Sequence, residues 1–370
     1  MIGSFKDKQN ASPLASWRFS QKHPAEFVQM VKHFFIDRGQ HSKKPAKRLC
    51  SLPVFFGGQM RYTEYNPMIL KKDVPSMQYT IENEFLRLTA DTHGAEAVSV
   101  VNKATGAEML WCGDPAVWGR HAPILFPYTG KLTCGKMIAK GQEYAGGQHG
   151  FARDMEHTLV GKTDDTMTFA LTAGEETRKL WPYDFVLRST FALDGKTVRH
   201  TLAVENPSEP ELRFGIGYHP AFAIPFDDAH TAADYEFRFD ALESPLCVSA
   251  LPNGLLSGTD YHYLARNVKS IPVTDDLFAN DSHCMVNLRS KTLAIVEKDT
   301  GRAVRCNIED YPYVLIWSAK KTPCRFVCIE PWQSLPGEEN GSLVWEDRAC
   351  AAILTPGESW STTLCTTFDR

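Results

Sequence analysis

The chain has 370 residues, a formal net charge of −4 and 43% hydrophobic residues. That is ample for a large core, and the mild acidity gives no overall reason to expect nucleic-acid binding. It contains no run of about 18 apolar residues, so no membrane span is expected.

The first 76 residues read differently from the rest. Residues 1–50 hold ten Lys or Arg against three Asp or Glu. "PAEFVQMVKHFFIDRG" (24–39) predicts one amphipathic helix: Pro24 suits its first turn, Gly39 its stop, and Phe27, Val31, Phe34 and Phe35 share a face. A basic loop, "QHSKKPAKRLC", follows. The segment suits a membrane-surface or partner-binding arm, or a poorly ordered extension from an early start codon. The second reading is preferred, because a clean strand pattern begins at Met77. The first 20 residues lack an apolar stretch of secretory type, so a cytoplasmic protein is expected.

From Met77 onward, strands are expected. "VSVVNKATGAEMLW", "FALDGKTVRHTLAVEN" and "LAIVEKDTGRAVRCNI" each place alternating runs around a turn: Thr105-Gly106, Asp194-Gly195 and Thr300-Gly301. Asp194-Gly195 suits a type I′ turn. Turn signals recur every 8–15 residues without a second long helical period. This predicts an all-β domain over 77–370, a large antiparallel β-sandwich or barrel. Ten cysteines are scattered without a C-x-x-C pair. Cys324 and Cys328 would lie roughly 13 Å apart on a strand, so reduced, mostly buried thiols are expected, with no metal.

Three places could carry chemistry. In "FVCIEPWQSLPG" (326–337), Glu330 closes an apolar strand. Burial would raise its pKa and suit a general base; the alternative is a salt-bridged structural glutamate, or a strand end that simply reaches water. In "FGIGYHPAF" (214–222), His219 precedes Pro220 at a strand end, as a proton donor or a core histidine. His200 alternates with Val198, Leu202 and Val204 and reads as core. "GRHAPILFPYTGK" (119–131) and "GGQHGFARD" (146–154) bring Arg120, His149 and Arg153, donors for hydroxyls, carboxylates or phosphates, or surface ion-pair partners.

Together, "APILFPYTGK", "QHGFARD", "GYHPAF" and "IEPW", in this order, resemble the aldose 1-epimerase (galactose mutarotase-like) family, and within it the LacX-type branch. The resemblance covers residues 77–370. It implies a large sandwich of antiparallel sheets and interconversion of the α and β anomers of a sugar, without cofactor. It matches Glu330 to the family's catalytic glutamate, His219 to its catalytic histidine and His149 to its sugar-binding histidine. Arg120 and Arg153 match arginines of the hexose 6-phosphate branch. "LFANDSHCMV" points to Asp281 as a holder of sugar hydroxyls. Trp332 and Phe151 are candidates for an apolar face against the ring, or for core packing. Lys131 stands where LacX-type proteins usually carry arginine, the segment after Asp281 is more polar than usual, and residues 1–76 have no counterpart. The expected partner is a small-molecule sugar, phosphorylated or free, bound by a monomer or homodimer. A non-catalytic sugar-binding protein is the alternative; glycoside hydrolysis would normally need a second catalytic carboxylate.

Overall fold

The computed structural model describes residues 76–320 and 323–369. The helix expected over 24–39 and the expected extension, save its last residue, lie outside the described residues.

Strands dominate, as the alternation predicts. Nine antiparallel strands form one sheet, in the order Val268–Pro272, Tyr235–Glu243, Thr292–Glu297, Ala303–Asn307, Ser359–Asp369, Thr197–Glu205, Val186–Asp194, Thr166–Thr172 and Thr158–Lys162. A second runs Leu256–Tyr263, Leu246–Ala250, His283–Val286, Tyr313–Trp317, Phe326–Trp332, Gly217–Tyr218 and Ile124–Leu125, with Ala221–Ala223 also paired to Phe326–Trp332. Phe191, Leu202, Phe237 and Phe368 of the first sheet join Met285, Ile316, Val327 and Ile329 of the second in one apolar cluster. The inward faces of the two large sheets therefore share a core. Among the described residues the one α-helix is Glu175–Leu180, six residues long.

The three expected turns are present, each with a glycine at positive φ: Gly106, Gly195 and Gly301. At the second, the two-residue loop is Gly195-Lys196 rather than Asp194-Gly195, because Asp194 pairs with Thr197. Of these residues only Gly195 has positive φ, the pattern of a type II′ loop rather than type I′. His200 is core as expected: it is buried, its Nε2 lies 2.8 Å from Ser189 Oγ, and its ring stacks on Phe191 at 4.0 Å. The nine described cysteines are all free thiols, five of them buried.

Phe326–Trp332 is buried on both faces along its whole length. Val327 and Ile329 point into the main core. Phe326 and Cys328 point the other way, into a small cluster with Trp111 and Ala221; Trp332 joins another with Leu125 and Leu315. By alternation Glu330 lies between these two clusters, on the face turned away from the core.

Candidate active site

The partner of Glu330 is set by sheet register. Gly217 pairs with Trp332, and Ala221 with Cys328. Counting inward from both ends puts His219 opposite Glu330 on the neighbouring strand. Side chains opposite one another share a face, and His219 Nε2 accordingly lies 3.3 Å from Glu330 Oε2. Pro220 has no N–H to give the ladder, and the strand breaks there into Gly217–Tyr218 and Ala221–Ala223. Gly217 leaves room for the neighbouring ring, since a Cβ there would sit 2.6 Å from Trp332 Cδ1.

Both members of the pair are about as buried as the core, at 6% and 1% exposure. Burial pushes the Glu330 carboxyl well above the usual carboxylate range, and the charge of Asp281 pushes the same way. Burial lowers the His219 imidazole to about 3, helped by Arg153 and Arg120. Both directions favour the neutral forms, a carboxylic acid beside a neutral imidazole.

His149 comes from the glycine-flanked turn. It adopts φ 70 and is followed by Gly150 at φ 72, where a Cβ would fall 2.0 Å from the Phe126 carbonyl oxygen. Gly130 N–H donates to His149 Nδ1 at 3.0 Å, so Nε2 carries the ring proton. The Gln148 carboxamide lies 3.1 Å from that nitrogen; with Nε2–H donating, its oxygen belongs on that side. Burial first, then the Arg153 charge, hold His149 well below the ordinary histidine range. It is thus a neutral donor, edge-to-face with His219 and with Trp332, each at 5.5 Å.

The two arginines differ. Arg120 pairs with Asp154, donates to the Arg153 carbonyl at 3.3 Å and lies 4.0 Å from Glu96. It is committed to protein partners. Arg153 is more buried, its Nε has no hydrogen-bond partner, and its nearest carboxylate oxygen, on Asp154, is 3.8 Å away. Burial, with Arg120 beside it, lowers its pKa to about 10. His219 Nδ1 is likewise buried without a hydrogen-bond partner. Asp281 stands at φ 88, with Oδ1 accepting from the Ser282 N–H at 2.9 Å. Phe151 packs in the core against Phe126 and Phe185. Trp332 is buried and donates Nε1–H to the Tyr218 carbonyl at 3.2 Å. Lys131 is tied to the Asn253 carbonyl at 2.8 Å.

Two residues escaped the sequence reading. Trp118 stacks on His219 at 5.0 Å, and Trp317 meets the same ring edge-on at 5.5 Å. Both are half-buried. Trp118 lies two residues before Arg120, and Trp317 is opposite Cys328 in register; the first could have been sought beside the arginine, the second only through pairing. A cavity of about 40 Å³ is lined by Tyr218, His219, Phe191, His200 and Phe222. It has room for a water-sized group but not for a sugar.

The site thus joins a buried carboxyl and imidazole in contact, a neutral imidazole donor, a poorly partnered arginine and two half-buried indole rings. The model of the family described as "Aldose 1-epimerase" matches residues 77–365. The chain belongs to the aldose 1-epimerase family. It is 31% identical over 288 residues to the plasmid-encoded protein LacX of Lactococcus lactis subsp. lactis, covering 76% of this chain and 95% of LacX. A putative glucose-6-phosphate 1-epimerase of Escherichia coli K12 is 47% identical over 162 residues, 41% of this chain and 49% of that protein. Among solved structures, a galactose mutarotase related enzyme from Lactobacillus acidophilus is 32% identical with a TM-score of 0.75, covering 80% of this chain and 98% of that one. The fold is galactose mutarotase-like.

Proposed function

We propose that the chain is an aldose 1-epimerase acting on a hexose by acid/base ring opening. The observation that carries this reading is the His219–Glu330 contact at 3.3 Å on a face bordered by indole rings. Mutarotation needs a proton taken from the O1 hydroxyl and one given to the ring oxygen O5. The C1–O5 bond breaks as the C1 carbonyl forms; rotation about C1–C2 presents the other face, and closure reverses both transfers.

Glu330 takes the O1 proton and His219 delivers one to O5. The number of protons on the pair never changes. With the ring closed the pair is carboxylate and imidazolium; with the ring open it is carboxylic acid and neutral imidazole. Burial favours the second state, and so favours the open-chain side of the step. In the resting site the proton first passes from Glu330 to His219, as a sugar hydroxyl donates to the carboxylate. His149 Nε2–H, exchanging the Gln148 carboxamide for the sugar, and Arg153 donate to the ring oxygen and neighbouring hydroxyls, Asp281 accepts from hydroxyls on the far side, and Trp118 lies against the C–H face.

Each positioned proton transfer is worth about 10² to 10⁴ in rate. Anomer exchange is measured by polarimetry or NMR saturation transfer with α-glucose, α-galactose and glucose 6-phosphate. We expect turnover that falls at least about 100-fold in Glu330→Gln with circular dichroism unchanged. Near-wild-type turnover in that variant would exclude the assignment. The poorly partnered Arg153 favours a second reading, in which the preferred substrate is a hexose 6-phosphate; the third sugar in the assay decides it.

A further inference from the structure

Cys247, His262 and His283 form a group that the proposed reaction does not use. They stand on three neighbouring strands, Leu246–Ala250, Leu256–Tyr263 and His283–Val286. Cys247 pairs with His262 on one side and with Met285 on the other. His283 is two residues from Met285, so all three side chains leave the same face. His283 pairs in turn with core residue Ile316. The face is therefore the core side, opposite the one that carries Cys284, Leu315 and Glu330.

One ligand atom from each residue lies within 4.8 Å of the other two. One nitrogen of each ring is already engaged. His283 Nε2 is 2.6 Å from the Leu277 carbonyl, which can only accept, so Nδ1 keeps its lone pair. His262 Nδ1 is 3.0 Å from Ser249 Oγ; with that nitrogen donating, Nε2 presents its lone pair. A hydrogen bond from the second nitrogen is how metal-binding histidines are usually oriented. Burial pushes the Cys247 thiol up to about 12, against a smaller opposing pull from the Leu264 backbone, so it is the metal that must displace the thiol proton. Cys247 is fully buried and His262 exposed, so the group opens to solvent on the His262 side.

We propose that Cys247, His262 and His283 bind one divalent transition-metal ion of the zinc type, through the sulfur and one nitrogen of each ring. A thiolate with two imidazoles suits zinc and excludes magnesium or calcium. Metal–sulfur and metal–nitrogen bonds of about 2.3 and 2.0 Å place ligand atoms roughly 3.3–3.6 Å apart, so the three side chains close slightly on the ion. On binding, the S–H bond breaks, the proton leaves to solvent and a sulfur–metal bond forms, with no change in oxidation state. The fourth position is left to water or an external ligand. The ion clamps three strands together and fixes His283, two residues beyond Asp281.

The test uses the full-length chain, stripped with EDTA and titrated with Co²⁺. The expected result is a thiolate-to-cobalt charge-transfer band saturating at one ion per chain, displaced by Zn²⁺, with a higher melting temperature. Cys247→Ser should abolish the band. His262→Ala, at an exposed position that endangers no packing, should weaken Co²⁺ binding at least about 10-fold with circular dichroism unchanged. Cys328→Ser, on the opposite face, should leave the titration as it is. Absence of the band, its survival in Cys247→Ser, or its loss in Cys328→Ser would overturn the proposal.

Discussion

In the proposed reaction His219 and Glu330 share one proton, and this has a consequence for pH dependence. Exchange fails when the pair gains a second proton or loses its only one. Burial lowers His219 to about 3 and raises Glu330 well above its ordinary range, which moves those two events apart. We expect kcat/KM to run flat through about pH 5–8, where an ordinary histidine would titrate. An inflection near 6.5 that disappears in His219→Asn would show that the pair is not held in one state. His149, as a neutral donor, should behave differently: His149→Asn should raise KM as well as lower kcat. Arg153→Ala should cost about 10- to 100-fold in kcat/KM for glucose 6-phosphate and leave glucose little changed, if a charge-assisted hydrogen bond to phosphate is what it supplies. Equal losses on both sugars would assign it to the hydroxyls.

Among the elements, two turns can be tested. Gly150 combines φ 72 with a Cβ position 2.0 Å from the Phe126 carbonyl oxygen. Gly150→Ala forces both the backbone and the Phe126–Pro127 segment to move, and should lower stability by about 2 kcal/mol or more in denaturant unfolding. The second turn joins Thr292–Glu297 to Ala303–Asn307. There buried Glu297 meets Arg302 and Tyr235, while His230 lies 2.6 Å from Asp227 and 3.1 Å from Asp299. Hydrogen bonds to Asp227 and then Asp299 raise His230 to about 9. A raised folded pKa means that its contribution is complete below about 6.5, the unfolded value, and is lost as the pH climbs through 9. The melting temperature should therefore fall between pH 7 and 10 more steeply in the wild type than in His230→Gln. Parallel curves would remove His230 from the network.

For the molecule as a whole, strand content and hairpins were legible because alternation and glycine turns are local signals. Glu330 and His219 were legible as an anomaly, a carboxylate and an imidazole in apolar strands. Their opposition was not, since 219 and 330 meet only through strand register. Trp118 and Trp317 were hidden for the same reason: an aromatic residue gives no local sign of whether it fills a core or floors a site. Arg120 and Arg153 looked equivalent until Asp154 was seen to take the first. Residues 1–76 precede the family match, which begins at 77. A chain starting at Met77 is expected to be soluble, with unchanged kcat and melting temperature; an insoluble product would show that the segment covers part of the core.

The register that joins His219 to Glu330 also limits how such a protein can diverge. A strand that gains or loses one residue turns its following side chains to the other face. A single deletion between Phe326 and Glu330 would send the carboxyl toward the nine-stranded sheet and bring a core residue to the sugar side. The segments holding Trp118 and Asp281 lie outside these strands and face no such restriction. If the proposed reaction holds, lineages can lengthen, shorten or exchange such loops, while the two strands carrying His219 and Glu330 must be inherited at fixed length.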